Sequence, residues 1–445
     1  MSASPIAIDS LINARWIIPI RPANCVLEQH AIALDKGRIL AILPQQEAST
    51  LYDAKNQFEL NDHVIMPGLI NAHGHSPMTL FRGMADDKNL AEWLNDDIWP
   101  AESRWVDSGF AYDGSALAIA EMLRGGTTCF ADMYFFPEVT ARLARDSGIR
   151  AQIAFPVLDF PTAWGSGPDE YISKGLALHD EFKNTERVDI AFGPHAPYTV
   201  NDKALEKIAM YAHELDTSVQ IHLHETAAEV QNSVRETGLR PLARLDSLGL
   251  LSPRLQCVHM TETNADDMAL LEAHRAHVIH CPQSNLKLAS GEPKVQAMLK
   301  KGINVALGSD GAASNNSLDM WAEMKSTALL AKSVSQDASA LPAFTALEMA
   351  TINGARALGI DDKTGSLEPG KAADMISINL NHLNTQPVYN AISQLVYSAN
   401  STQVEHVWVA GQTLLADGKL TQMDQQKIIE NACQWRNRIM EKQNP

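Results

Sequence analysis

The sequence predicts an α/β protein, a (β/α)8 barrel of the TIM type, with a small β-sandwich domain built from both chain ends. Three observations predict it. Short apolar strand patterns alternate with longer helical ones through the middle of the chain, eight strand candidates can be counted there, and both ends read instead as hairpins.

Residues 1–66 form the N-terminal part of the small domain. Within them AIALDKGRILAILP places two apolar runs around Lys36-Gly37, a hairpin signal. Residues 368–445 return to that texture: VEHVWVAGQTLLADG turns at Ala410-Gly411 and at Asp417-Gly418. A polar, helix-favouring tail follows, from Asp424 to Lys442. The two end segments are expected to pair into one domain.

Residues 67–367 carry the barrel. Its strand candidates are VIMPGLINAHGH, TTCFADM, AQIAFPV, VDIAFGPHA, SVQIHLHE, LQCVHM, HVIHCP and NVALGSDG. Helical patterns such as SALAIAEMLRG and DKALEKIAMYAHELD lie between them, and the long stretch after the first strand, with AEWLNDDIWPAESRW, holds extra helix. Most of the strands end in His, Asp or Glu, and a barrel of this type gathers its catalytic groups at the C-terminal ends of its strands.

Composition narrows the function. With 445 residues, 45% of them apolar and 20% charged, the chain can bury a large core and is not a disordered one. Acidic residues outnumber Lys and Arg by 53 to 36, a formal charge of −17, and no basic run interrupts them. Such a surface repels nucleic-acid backbones and anionic lipid, so neither is expected as a partner. The five cysteines (Cys25, Cys129, Cys257, Cys281 and Cys433) are scattered and read as reduced thiols of a cytoplasmic protein. MSASPIAIDS lacks the pattern of a secretory leader, and no apolar run is long enough to cross a bilayer. A homo-oligomeric assembly is expected.

The chemistry begins with His73 and His75 in NAHGH. Residues two apart on a strand point the same way with α-carbons roughly 6.6 Å apart, so two imidazoles can converge on one ion. Further strand ends supply His222, His259 and Asp310. Buried imidazoles and carboxylates need partners, and a metal satisfies several together. Three neutral imidazoles and a carboxylate suit Zn²⁺, or a similar ion such as Fe²⁺ or Mn²⁺, with a water completing the sphere.

NAHGH, HLHE, VHM and LGSDGAASNN, in this order and with the closing GSLEPGKAADMISI, resemble the amidohydrolase superfamily. More narrowly, they resemble its methylthioadenosine/S-adenosylhomocysteine deaminase branch, and the similarity covers essentially the whole chain. The resemblance implies His73, His75, His222 and Asp310 as metal ligands. It implies Glu225 as the proton shuttle to and from the purine, Asp310 as acceptor of the water's proton, and His259 as a hydrogen-bonding partner of the attacking oxygen or leaving group. Glu102 would hold the ribose hydroxyls, and His195 would contact the substrate. Related binuclear enzymes carry a bridging lysine on the fourth strand. VDIAFGPHAPYT has none, so one metal per chain is expected.

Trp93 is expected to line the cavity with an apolar face. Relatives that accept S-adenosylhomocysteine place an arginine near the end of the third strand. Here RAQIAFPVLDF puts Phe155 about there, which favours 5′-methylthioadenosine, with Arg82 as the one residue able to supply a charge instead. His224, His280, Asn285 and Ser314 are read as loop-fixing or wall residues. The expected activity is therefore deamination of 5′-methylthioadenosine, with adenosine and S-adenosylhomocysteine as further substrates. The alternatives are a deaminase of another amino-heterocycle (an oxidised guanine or a triazine) and a metal-free structural or signalling relative.

Overall fold

The structure, a computed structural model, describes residues 4–441. Residues 1–3 and 442–445, which include the start of MSASPIAIDS and Lys442 of the expected helical tail, lie outside the described residues.

The chain starts in a mainly antiparallel sheet: β1 (Ile6–Ile17), β2 (Leu27–Asp35), β3 (Arg38–Pro44) and β4 (Tyr52–Pro67). It then enters eight parallel strands: β5 (Leu69–Asn71), β6 (Thr127–Met133), β7 (Arg150–Val157), β8 (Val188–Pro194), β9 (Val219–Leu223), β10 (Leu255–His259), β11 (His277–His280) and β12 (Val305–Leu307). These are the eight sequence-predicted strands, hydrogen-bonded in chain order. Backbone bonds from Ala72 N–H to Leu307 O (2.9 Å) and from Asp310 N–H to His73 O (3.1 Å) join the last strand to the first and close the barrel. β6 and β7 are buried along their whole length, as expected of strands with helices outside and packed side chains inside.

The chain ends then meet. β13 (Met375–Asn379), β14 (Val404–Val409), β15 (Gln412–Ala416) and β16 (Lys419–Leu420) extend the first sheet, β13 pairing antiparallel with β4 so that Met375 faces Pro67. The eight strands run β16-β15-β14-β13-β4-β1-β2-β3 as one sheet. Its two flanks share one apolar cluster, containing Ile12, Ile32, Ile65, Met375 and Trp408, in the manner of a sandwich. At Lys36-Gly37, Ala410-Gly411 and Asp417-Gly418 both residues have positive φ, the backbone that two-residue hairpins require. The first two turns touch: a Cβ on Gly37 would lie 2.4 Å from Ala410 O, so no larger residue fits there.

Two helical additions complete the barrel mouth. Residues 90–105 follow the first strand as predicted, with an inserted π turn at Trp93–Ile98 and Asn89 capping the start. The helix Ser108–Arg124 behind them packs Phe110 against Trp435 of the C-terminal helix Gln425–Glu441, ring centroids 5.2 Å apart. Among the described residues, no helix is long and apolar enough to cross a membrane, and all five cysteines are unpaired.

Candidate active site

The ligand atoms of His73, His75, His222 and Asp310 lie within 4.8 Å of one another at the C-terminal mouth of the barrel. His73 Nε2 is 3.2 Å from His222 Nε2, and Asp310 Oδ1 is 3.1 Å from His75 Nε2 and 3.4 Å from His73 Nε2.

The far side of each ring decides what the near side offers. His73 Nδ1 bonds to Gln220 Oε1 (2.7 Å), His75 Nδ1 to the Met133 carbonyl, and His222 Nδ1 to the His195 carbonyl (2.7 Å). Those oxygens only accept, so each Nδ1 carries the hydrogen, and His73 and His222 turn a bare Nε2 lone pair to the centre. Burial holds His73 and His222 below the ordinary imidazole range, which keeps both neutral. Burial would lower His75 too, yet the Asp310 carboxylate holds it up at about 9. Converging lone pairs and one carboxylate make a set that a divalent cation of zinc's preferences satisfies.

Gln220 is held in turn. Its amide donates to Ala72 O (3.0 Å) and to Gln256 Oε1 (2.7 Å), while Gln256 donates to Gln152 Oε1 (2.7 Å) and Ala357 O (2.8 Å). Gln152 ends the row by donating to Leu358 O (3.1 Å). On the other side, Asp310 Oδ2 accepts from Ser284 Oγ (2.5 Å) and Ser314 Oγ (2.7 Å), leaving Oδ1 to face the histidines. Burial would raise Asp310, but the adjacent His73 and His75 rings hold it well below the usual carboxylate range.

Around this centre, Glu225, His259, His195 and Glu102 all line one cavity of about 460 Å³. Glu225 follows a left-handed residue, His224 (φ 52°), and the Glu229 carboxylate accepts the backbone N–H groups of both, at 2.9 and 2.7 Å. Burial, then the charge of Asp310, pushes Glu225 up to about 8. His259 donates through Nδ1 to Asn285 Oδ1 (2.9 Å), and its Nε2 stands 3.8 Å from Glu225 Oε1. His195 bonds Thr199 Oγ1 (3.0 Å) and is lowered to about 4 by burial, so it meets a ligand as a neutral ring. Glu102 is pushed up to about 7 by burial, with the Tyr134 hydroxyl acting in the opposite sense.

Several sequence readings change here. Phe155 does not line the cavity. Strand alternation turns it outward, where it packs on Phe192 (centroids 4.8 Å) and against Gly175, and its neighbour Pro156 faces the cavity instead. Arg82 is not free to swing inward, because it pairs with Glu121 and donates to Asn316 O (2.8 Å). His224 is fully buried, accepting from Leu242 N–H through Nε2. Trp93 lines the cavity, and it does so with a buried indole N–H that has no partner. Asn285, Ser284, Gln220 and Glu229 reach the site through its principal residues, which sequence reasoning missed or set aside. Gln220 alone carried a signal, lying two before His222 on the same strand face.

Buried donors at the mouth of a closed (β/α)8 barrel define a metal-dependent hydrolase. The chain belongs to the amidohydrolase family, whose model matches residues 64–414. Within that family it is 51% identical over 432 residues to a 5-methylthioadenosine/S-adenosylhomocysteine deaminase of Teredinibacter turnerae, covering 97% of this chain and 98% of the relative. It is also 39% identical to a 5′-deoxyadenosine deaminase of Methanopyrus kandleri, over 92% of this chain and 95% of that one. The crystal structure of an adenosine deaminase from Xanthomonas campestris with bound zinc superposes with a TM-score of 0.97 at 47% identity, covering 98% of this chain and all of the other.

Proposed function

We propose that this protein is a zinc-dependent deaminase that converts 5′-methylthioadenosine to the corresponding inosine derivative and ammonia. Adenosine and S-adenosylhomocysteine are further substrates. The observation that carries this reading is the convergence of the Nε2 atoms of His73, His75 and His222 with Asp310 Oδ1 on one point, with Glu225 facing the same cavity. The names of the relatives support the choice of an adenosine-type substrate.

His73, His75, His222 and Asp310 would hold the ion. When bound, it supplies the Lewis acidity that makes a water nucleophilic near neutral pH. Asp310 accepts the proton this water loses. Glu225, kept protonated by its burial, donates to ring N1, takes up the proton that the adduct's hydroxyl loses and delivers it to the departing amino group, while the proton held by Asp310 restores Glu225, so that one carboxyl serves both steps. His259, oriented by Asn285, hydrogen-bonds the attacking oxygen or the leaving group. Glu102 takes the ribose hydroxyls, and His195, which lines the same cavity, contacts the purine nucleoside.

Ammonia release by zinc-loaded protein tests the reading, using a panel of adenosine nucleosides, guanine-type bases and triazines. Turnover of the bases or triazines with none of the nucleosides overturns it. A cytoplasmic setting and a homo-oligomeric state belong to the same reading. The unpaired cysteines fit the first, and sedimentation velocity tests the second.

A further inference from the structure

Tyr134 follows directly on β6, one residue after the carbonyl that orients His75. It is 5% exposed and lines the cavity, and its hydroxyl makes no well-formed hydrogen bond within the protein, although it stands close enough to the Glu102 carboxyl to interact with it. Buried hydroxyls without partners are uncommon in folded proteins, and one that faces a cavity is explained by what enters the cavity. The ring has little freedom, being packed against Phe135 (centroids 5.1 Å) and tilted against His75 (6.3 Å). Burial and the neighbouring Glu102 carboxylate hold the phenol well above its ordinary range, so it stays a neutral donor.

Beside that donor stands Glu102, an acceptor when ionised. Few groups satisfy both at one point. An amino group only donates, a ring nitrogen without hydrogen only accepts, and a thioether is a poor partner for either. A hydroxyl does both, donating one hydrogen while its oxygen accepts others. The geometry points to Tyr134 as a substrate-reading residue, whose hydroxyl donates to the oxygen of one ribose hydroxyl while that hydroxyl donates to Glu102. The inference rests on the nucleoside reading above and adds a second reader of the sugar. It also accounts for the lack of a well-formed hydrogen bond within the protein, since the missing partner is the substrate.

Tyr134→Phe tests this, because apart from its approach to Glu102 the hydroxyl holds nothing in the unliganded protein. The variant is expected to keep the wild-type melting temperature and zinc content. Its kcat/KM on adenosine is expected to fall about tenfold or more, and on 2′,3′-dideoxyadenosine less than about twofold, since only the first substrate offers the bridging hydroxyl. Combined with Glu102→Gln, it is expected to cost less than the product of the two single effects, as two residues reading one hydroxyl must. Equal losses on both substrates, unchanged kcat/KM on adenosine, or a loss that tracks falling zinc content each overturn the inference while leaving the deaminase reading in place. No turnover of any adenosine nucleoside by the wild type overturns both.

Discussion

His73 and His222 bring their Nε2 atoms to 3.2 Å with a hydrogen on neither, because both Nδ1 hydrogens are committed to oxygens that only accept. Two facing lone pairs repel, and a positive charge between them relieves the repulsion. Elemental analysis is therefore expected to find about one equivalent of a divalent transition metal per chain. His222→Ala should lose most of it, and chelation should lower the melting temperature, since a ligand at 100 times its Kd stabilises by about 2.7 kcal/mol. Full occupancy in His73→Ala/His75→Ala would reject the site.

Glu225→Gln separates binding from proton transfer. The backbone of residue 225 is held by Glu229 and by Thr261 Oγ1 (2.8 Å to Glu225 O), so the side chain can change without disturbing the turn. Metal content and KM are expected to hold while kcat falls by roughly 10²–10⁴-fold or more, the usual worth of a general acid–base group. Near-normal turnover would require another proton carrier.

The pH profile carries the sign of the Glu225 shift. Burial first, and then Asp310, raise the group to about 8, and it works as an acid in its protonated form. That form is lost as pH rises, so kcat/KM should fall on the alkaline side through about 8. A bound dication can only draw this limb lower. An alkaline limb that persists unchanged in the residual activity of Glu225→Gln excludes Glu225 as the acid.

The 5′ substituent should matter. Among the described residues lining the cavity there is no Lys or Arg, Arg82 is tied to Glu121, and Pro156, Leu158 and Phe160 form an apolar stretch of wall. An amino-acid carboxylate entering there loses hydration without a cationic partner, whereas a thioether methyl gains apolar contact. The expected kcat/KM for 5′-methylthioadenosine exceeds that for S-adenosylhomocysteine at least tenfold, about 1.4 kcal/mol. Side-by-side kinetics showing parity or reversal reject it. Losing Phe155 from the wall leaves the expectation intact, since it now rests on the whole lining.

Period-2 and 3.6-residue patterns located all eight barrel strands and the hairpins at Lys36-Gly37 and Ala410-Gly411, because burial writes those periods directly into the sequence. The principal site residues were legible for a related reason: His and Asp at strand ends of a barrel have little else to do there. Phe155 failed through register. One residue's slip along a strand reverses the face, and a strand buried on both sides, as β7 is, gives no polar alternation to fix it. Asn285 was set aside as a loop residue, yet its bond to His259 spans 26 positions of sequence. Tyr134 and Glu229 were invisible because an unpartnered hydroxyl or a clamp on backbone N–H groups is a property of three-dimensional placement.

The row of buried amides from Gln152 through Gln256 to Gln220 has a direction. Every member donates toward Gln152 and accepts from the side of His73, and the spare hydrogens of the three amides go to the carbonyls of Leu358, Ala357 and Ala72. No single amide can turn over without facing donor to donor with its neighbour, so the row must keep or reverse its sense as a whole. Only the present sense gives His73 the tautomer with a bare Nε2. The carbonyls that select it belong to segments distant in the chain, brought together only when the barrel is shut. The closed barrel is therefore what sets the tautomer that suits the ion. An unfolded chain has no such row to bias the ring, whereas the folded barrel offers the ion a nitrogen already free of hydrogen.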